Sequence, residues 1–315
     1  MTDPAAFVDG AIARLRQEVP ARTIVAASGG IDSTVAALLA HRALGDRSKA
    51  IFVDTGLLRA GEVEQVERFF RASQLPYQAV SAADRFFAAL AEVADPEEKR
   101  RRIGATFVRV FEAEADRFGC DRLVQGTIAP DWIESGGQLR DTIKTHHNVG
   151  GIPKDLRLTL VEPLRDLYKD EVRAVARFLG IPEAERQPFP GPGLAVRVNG
   201  PVTPERVARV RVANAIVEEE VERAVAANEM PRPWQYFAVL LPVRTVGVTG
   251  DNRVHGEAVV VRIVESVDAM TATAMAVPRP VLGRISERVT RALAGAVVRT
   301  LYDVTDKPPA TIEWE

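Results

Sequence analysis

Short apolar runs alternate with helical patterns through the first part of the chain. Each run has the length that a buried strand needs, and the runs lie at residues 23–27, 50–53, 77–81, 122–127 and 158–162. Between them, apolar residues recur at helical spacing, as at Ile31, Val35, Leu38 and Leu39. Strands that alternate with helices predict an α/β fold with a doubly wound parallel sheet.

A stretch rich in proline and glycine interrupts this alternation at residues 187–193. Its three prolines and two glycines cannot continue a helix or a central strand, so we predict separate domains at 1–188 and 189–315. The second domain has an α+β pattern, with helices at 204–227 and 282–293 and strands at 236–241, 243–248, 258–264 and 297–304. The apolar end of the chain, which contains Trp314, would fray unless it docks on the protein.

Composition narrows the class of protein. The chain has 315 residues, 46% of them hydrophobic, and a net charge of −2, which indicates a soluble protein of about two domains. No basic domain is present, which argues against nucleic-acid binding, and no apolar run is long enough to span a membrane. The first 19 residues predict a helix and not a signal peptide. Cys120 is the only cysteine, which excludes a disulfide framework and fits a cytoplasmic location.

A glycine turn follows the first predicted strand and opens the next helix. Its residues are Ser28, Gly29, Gly30, Ile31, Asp32, Ser33 and Thr34. Free N–H groups and the helix dipole favour an anion at such a place, and glycine lets the backbone approach it closely. Asp32 would repel a phosphate unless Mg²⁺ lay between them. We therefore predict a phosphate cradle at residues 28–34; on spacing alone, a turn with Ser28 as helix cap remains the alternative.

Two further positions have both a functional and a structural interpretation. Asp54 ends the second predicted strand, where open α/β sheets bind ligands, so it is a candidate for a nucleotide or metal contact. An Asx turn that leads into the following helix is the alternative for Asp54. The charged run at residues 97–102 is either a solvated helix face or the source of an arginine that reaches a phosphate.

Residues 128–155 contain few apolar side chains, no sustained period and many titratable groups. A connection this long is typical of a functional lid or of disorder, and the density of charge favours a lid at about 129–155. We expect Lys144 and Lys154 to pair with phosphate oxygens when the lid closes. His146 and His147 are neighbours that do not share a face, and no third ligand stands at a useful spacing, which argues against a transition-metal site.

Several strings along nearly the whole chain resemble the GMP synthetase family. The turn at residues 28–33 resembles the loop with which ATP pyrophosphatases hold the β and γ phosphates of ATP. The other matching strings lie at 53–57, 98–100, 125–127, 131–134, 144–149, 188–193 and 307–315. The resemblance implies an adenine nucleotide alpha hydrolase-like fold for the first domain, the ATP pyrophosphatase domain. It implies a second domain that dimerises and binds XMP.

The resemblance also implies a role for individual residues. ATP would be bound by the residues of the phosphate cradle together with Asp54 and Gly126, and Mg²⁺ by Asp32. The catalytic residues would be Asp131, Glu134, Lys144 and Lys169. The XMP-binding residues would be Arg100, Thr249, Lys307, Ile312 and Glu313. Three positions depart from the family pattern. Thr249 stands where glutamine is common and Arg165 where lysine is frequent, whereas Ile31 replaces a common valine of similar volume and should matter little.

The reaction that the resemblance implies has two steps. ATP adenylylates XMP and releases pyrophosphate, and ammonia then displaces AMP to give GMP. Only a short predicted helix precedes the cradle, and Cys120 lies in the wrong domain for a glutaminase nucleophile. We therefore expect a separate glutamine amidotransferase subunit to supply ammonia, and a homodimer formed through the second domain.

Other classes share parts of this pattern. An ammonia-using NAD synthetase would share the cradle but not the string at 307–315. A phosphoadenylylsulfate reductase needs a cysteine near its C-terminus, and a tRNA-thiolating enzyme needs persulfide cysteines and a basic surface; neither is present. A non-catalytic nucleotide-binding module would keep the glycines and could dispense with the charged lid.

Overall fold

The computed structural model describes residues 3–129, 156–181, 187–267 and 269–315, without the side chain of Thr249. The chain divides into two compact units. The first consists of Met1–Gly56, Gly61–Ala89 and Arg100–Glu185, and the second of Leu57–Ala60, Leu90–Lys99 and Arg186–Glu315. The domain functions predicted for 1–188 and 189–315 stay predictions. Nearly all of the predicted lid, with Asp131, Glu134 and Lys144, lies outside the described residues.

The first unit is built on a parallel sheet. Its strands are β1 (Thr23–Ala26), β2 (Ser48–Asp54), β3 (Tyr77–Ser81), β4 (Arg122–Val124) and β5 (Thr159–Val161). They lie in the order β3-β2-β1-β4-β5, and every pair is parallel. This arrangement confirms the predicted doubly wound sheet. The order reverses between β1 and β4, and open α/β sheets bind ligands outside the carboxyl ends of strands at such a switch point.

Helices accompany these strands; the first precedes β1 and the last follows β5. They are α1 (Pro4–Glu18), α2 (Ile31–Leu44), α3 (Glu62–Ala72), α4 (Ala83–Ala89), α5 (Pro96–Phe118) and α6 (Lys169–Phe178). The middle of α2 is buried on all sides, because its residues from Ser33 to Ala40 are small or apolar and none of them is exposed. A helix that is apolar around its whole circumference is typical of a core position. The core of the unit thus holds the start of α2 in place.

The second unit contains a mixed sheet and two long helices. Its elements are α7 (Pro204–Ala226), β6 (Gln235–Thr249), β7 (Asn252–Glu265), β8 (Thr273–Ala274), α8 (Arg279–Ala292) and β9 (Val297–Tyr302). Strand β7 pairs antiparallel with β6 and β8 and parallel with β9, which confirms the α+β prediction. The two strands predicted at 236–241 and 243–248 are one strand. Its register shifts between Leu241 and Arg244, where Pro242 has no N–H to donate to the ladder.

The C-terminal end of the chain docks on this unit, as its composition predicts. Ile312 is 7% exposed and belongs to a buried cluster with residues from β6 and β7, among them Phe237 and Val260. Among the described residues, no helix is both long enough and apolar enough to cross a membrane.

Candidate active site

The turn between β1 and α2 depends on a glycine. Gly29 has a φ of +83°, in the left-handed region that favours glycine. A Cβ at this position would lie 2.4 Å from Cγ2 of Val66 in α3. The backbone of the turn therefore packs directly on α3, and no larger residue fits at Gly29 without a rearrangement.

The first turn of α2 has N–H groups available for an anion. Thr34 N donates to Gly30 O at 3.0 Å, and this is the first intrahelical bond. The N–H groups of Ile31, Asp32 and Ser33 come before it and have no intrahelical acceptor. Gly30 is the cap residue, and no side chain among the described residues caps the helix. These donors lie at the positive end of the helix dipole, where a phosphate is favoured.

The hydroxyl groups of the turn form hydrogen bonds mainly with other groups of the same turn. Ser33 Oγ accepts from Ser28 N at 3.1 Å and donates to Gly30 O at 3.0 Å. Thr34 is fully buried, and its hydroxyl donates to Gly30 O at 2.9 Å. Ser28 Oγ lies 3.1 Å from Ser33 Oγ. The hydroxyls of Ser33 and Thr34 therefore shape the cradle, and their predicted contacts with ATP stay predictions.

Gly126 allows the chain after β4 to approach the start of α2. A Cβ on Gly126 would lie 2.7 Å from Ser33 N and 2.8 Å from Asp32 C. Contacts this short with backbone atoms cannot be relieved by a side-chain rotation, so any other residue would displace one of the two segments. Gly126 thus stands beside the cradle at the switch point of the sheet, as the prediction requires, and its contact with ATP stays a prediction.

Asp32 and Lys169 form an ion pair at the cradle. Lys169 is the first residue of α6, and its Nζ lies 2.5 Å from Asp32 Oδ2. The other carboxylate oxygen, Asp32 Oδ1, is buried and has no hydrogen-bond partner among the described residues. The structure thus brings together a predicted metal ligand and a predicted catalytic residue, and it leaves one oxygen of Asp32 without a partner.

This oxygen fits a magnesium site that is completed by the ligand. Mg²⁺ prefers oxygen ligands and is usually held by one or two carboxylates together with substrate phosphates. In the described segments, no cluster of three His, Cys, Asp or Glu side chains could bind a metal ion without further ligands. Asp32 Oδ1 is therefore placed where it could serve as the protein ligand of such an ion, with phosphate oxygens and water as the others. The Mg²⁺ contact of Asp32 stays a prediction.

Asp54 forms the Asx turn that the sequence analysis gives as the alternative to a ligand contact. Asp54 Oδ1 accepts from Gly56 N at 2.9 Å, which is the hydrogen bond of an Asx turn. The second carboxylate oxygen is not needed for this turn. The nucleotide or metal contact of Asp54 stays a prediction.

The XMP-binding residues predicted in the second unit lie mainly in the C-terminal tail, which we define as residues 303–315. Lys307 Nζ donates to Ala269 O at 2.8 Å. Glu313 accepts from Arg197 Nη2 at 2.8 Å and from Gln235 Nε2 at 2.9 Å. Because the side chain of Ile312 is buried in the core cluster, only its backbone groups are available to a ligand.

The other two predicted XMP residues are not part of the tail. Thr249 is the last residue of β6, and its side chain lies outside the described part of the chain. Arg100 belongs to the first unit. The predicted contacts of both residues with XMP stay predictions.

Two buried arginines that hold the tail are missing from the sequence prediction. Arg197 and Arg262 are both 0% exposed, and each binds groups of the tail. A signal for both was present, because each is a single cation within an apolar run. A charge at such a position is buried only when it is paired, so a lone arginine inside an apolar run indicates a specific acceptor nearby.

The sequence comparisons identify one family, that of a GMP synthase subunit. The profile of the GMP synthase C terminal domain matches residues 219–314. A subunit of the glutamine-hydrolyzing GMP synthase of Pyrococcus horikoshii is 58% identical over 315 residues, which cover 98% of each chain. The same subunit from Thermoplasma acidophilum is 52% identical over 311 residues, with 99% of each chain covered. That from Methanopyrus kandleri is 55% identical over 319 residues and covers 100% of each chain.

Among solved structures, NMN synthetase from Francisella tularensis superposes with a TM-score of 0.49 at 18% sequence identity. This match covers 62% of the present chain and 79% of the NMN synthetase chain.

Proposed function

The chain belongs to the family of this GMP synthase subunit, and from this premise we propose that it is a ligase that makes GMP from XMP, ATP and ammonia. AMP and pyrophosphate are the other products. The observation that carries the proposal is the first turn of α2, where Asp32 Oδ1 has no partner within the described segments and the ammonium group of Lys169 lies beside Asp32. This arrangement offers donors, a metal ligand and a cation to a polyphosphate.

The first step is adenylylation of the XMP O2 atom, which is a poor leaving group without activation. O2 attacks the α-phosphorus of ATP, the bond from the α-phosphorus to the bridging oxygen breaks, and pyrophosphate leaves with the electron pair. Negative charge therefore develops on the pyrophosphate in the transition state. The N–H groups of Ile31, Asp32 and Ser33 are fixed donors for this charge, and preorganised donors of this kind lower a barrier effectively.

Asp32 and Lys169 balance the charge around the polyphosphate. Asp32 would hold a magnesium ion, which when bound would supply positive charge near the departing pyrophosphate. Lys169 offsets the negative charge of Asp32 through its contact with Oδ2. Without Lys169, the carboxylate would repel the ATP phosphates, because two anions close together in a partly buried site destabilise each other.

The second step is the displacement of AMP by ammonia at C2 of adenylyl-XMP. We propose that a separate glutaminase subunit supplies the ammonia. We also propose that Asp131, Glu134 and Lys144 are catalytic residues of the lid, which complete the site when the lid closes and excludes water. Arg100, Thr249, Lys307, Ile312 and Glu313 would hold XMP. A closed site protects a reactive intermediate from hydrolysis, so closure would protect the yield of GMP.

We also propose that the chain forms a homodimer through the second unit. Val246 and Val248 lie two residues apart in β6 and therefore on the same face of the sheet, and they are 48% and 74% exposed. Exposed apolar residues on one face of a sheet are typical of an interaction surface. A chain that sediments as a monomer at micromolar concentration would contradict this part of the proposal. The cytoplasmic location stays a prediction.

Pyrophosphate release tests the proposed reaction. The full chain is incubated with ATP, Mg²⁺ and XMP, with ammonium chloride in one arm and glutamine as the only nitrogen source in the other. We expect GMP and XMP-dependent pyrophosphate with ammonium but not with glutamine. A third arm replaces XMP with nicotinic acid adenine dinucleotide. Release that is independent of XMP, or that occurs only in the third arm, would overturn the assignment to GMP synthesis.

A further inference from the structure

The last residue of the chain is held in a buried ion pair. Glu315 pairs with Lys99 of α5, and their side chains are 2% and 0% exposed. Lys99 Nζ also donates to Val198 O at 2.7 Å, and Gly200 N donates to Glu315 Oε1 at 3.3 Å. Terminal residues normally fray. Here the charged end of the chain is instead removed from water and surrounded by acceptors and donors within the second unit.

Two other buried cations hold the tail upstream of this pair. Arg262 of β7 donates to Thr311 O at 3.1 Å and pairs with Asp303 at 3.3 Å. Arg197 binds both carboxylate oxygens of Glu313, through Nε at 3.1 Å and Nη2 at 2.8 Å. A bidentate arginine fixes the plane of the carboxylate as well as its distance. The tail is thus held at its start, at Glu313 and at its last residue.

The Lys99–Glu315 pair adds little to the free energy of unfolding, because both charges are desolvated. Removing two charges from water has a penalty that their attraction only partly repays, so apolar residues of similar size are often as stable. A buried pair can, however, define a single arrangement, because other arrangements would leave a buried charge unpaired. In this unit, that arrangement sets the position of the segment that contains Ile312 and Glu313.

We propose that Lys99 and Glu315 are positioning residues that hold the C-terminal tail in the conformation that binds XMP. This inference rests on the proposed function. Neither side chain is exposed, so neither touches the substrate, and both act through the segment at 307–313. Loss of the pair leaves the fold of the second unit in place and lets the end of the tail move.

Steady-state kinetics of the full chain test this role with three variants: Glu315→Gln, Lys99→Met and the double variant. We expect each single change to raise KM for XMP about tenfold while kcat stays within about twofold, the pattern of lost substrate binding. The equilibrium dissociation constant for ATP should not change. The double variant should raise KM by less than the product of the single effects, because residues in contact are not additive.

Glu220→Gln is the matched control. Glu220 is a glutamate of the same unit with a similarly buried side chain, 4% exposed, and it pairs with Arg284 and Arg288 of α8 instead of with the tail. This change should lower the melting temperature and leave KM for XMP at the wild-type value. If Glu315→Gln keeps the wild-type KM for XMP, or if the control raises KM equally, the positioning role is wrong.

Digestion with a carboxypeptidase, followed by mass spectrometry, gives a readout that needs no substrate. The wild-type chain should keep Trp314 and Glu315, whereas Glu315→Gln and Lys99→Met should lose their last residues about tenfold faster, because local opening controls cleavage. Equal rates would overturn the inference. A wild-type chain that resists digestion but shows no XMP-dependent pyrophosphate release would instead refute the proposed function and, with it, XMP as the ligand of the tail.

Discussion

Lys169 Nζ lies 2.5 Å from Asp32 Oδ2, although 137 positions separate the two residues in the sequence. Each stands in the first turn of its helix, Asp32 in α2 and Lys169 in α6. The pair therefore joins the two helix starts at the phosphate cradle, and Asp32 Oδ1 has no partner among the residues that the structure describes. A site with one cation in place and one carboxylate oxygen available is suited to a substrate that arrives with its own metal ion.

Removing the cation of this pair should impair the adenylylation step. We expect Lys169→Met to lower kcat for pyrophosphate release about 100-fold, since the loss of one preorganised charge or donor at an anionic transition state has effects of this size. Lys169→Arg, which keeps the charge, should retain more activity than Lys169→Met. Steady-state pyrophosphate release measures both variants, and a Lys169→Met enzyme within about threefold of wild type would show that the lysine has no catalytic role.

Changing the carboxylate should alter the dependence on metal. Asp32→Asn removes the charge of the proposed Mg²⁺ ligand and keeps its size. We expect the Mg²⁺ concentration for half-maximal activity to rise at least about tenfold, the effect that even outer-shell changes have on metal affinity. A Mg²⁺ titration at saturating ATP gives this value. An unchanged titration midpoint would place the metal ion elsewhere.

Gly126→Ala tests the close approach beside α2. The new Cβ would meet Ser33 N at 2.7 Å, so the start of α2 or the chain after β4 must move. We expect a loss of about 1–3 kcal/mol in the free energy of unfolding, as for other overpacked sites, and a higher KM for ATP. Gly10→Ala is the matched control, because a Cβ at Gly10 would have no atom of the described residues within 4 Å. Denaturant unfolding that shows equal stability for both variants would contradict the steric argument.

Glu220 should make the stability of the second unit depend on pH. Burial alone would raise the pKa of Glu220, but hydrogen bonds from Arg223, Arg288 and Arg284 outweigh burial and hold the pKa below its ordinary value of 4.5. A carboxyl with a lowered pKa in the folded state stabilises the fold above its unfolded pKa. This contribution is lost as the pH falls through the folded pKa.

The Glu220→Gln variant should therefore lose about 3 kcal/mol of unfolding free energy at pH 7, since removing the buried partner of an ion pair has a cost of this size. The difference from wild type should shrink as the pH falls below 4.5, the ordinary pKa of this group. Denaturant unfolding at several pH values measures this difference in unfolding free energy. Glu287→Gln, which removes an exposed carboxylate of α8, is the control and should have no measurable effect. A difference that grows on acidification would refute the linkage.

The sequence predicts the strands and helices of the first unit well, because local patterns determine where each of them lies. Apolar runs and helical spacing are read over a few neighbouring residues, and β1 with α2 lies where these patterns put it. The shape of β6 was harder to predict, because Pro242 resembles a strand break. In the structure it causes only a register shift within one strand. The short elements α4 and β8 have too few residues to produce a period.

The candidate site is predictable in its residue types but not in its pairings. The turn at residues 28–34 is visible as a string, whereas the contact of Asp32 with Lys169 depends on how two distant helices begin. Likewise, the sequence of the tail resembles the family pattern, but its partners Arg197, Arg262 and Lys99 come from three distant parts of the sequence. Long-range ion pairs of this kind have no local signal apart from a charge within an apolar run.

The central claim is that the XMP O2 atom attacks the α-phosphorus of ATP, and an isotope experiment tests it most directly. XMP labelled with ¹⁸O at O2 is incubated with the full chain, ATP, Mg²⁺ and ammonium chloride, and the products are examined by mass spectrometry. Adenylylation followed by amination transfers the label to the phosphate of AMP and leaves pyrophosphate unlabelled. Label in pyrophosphate or orthophosphate, with unlabelled AMP, would contradict the proposed reaction.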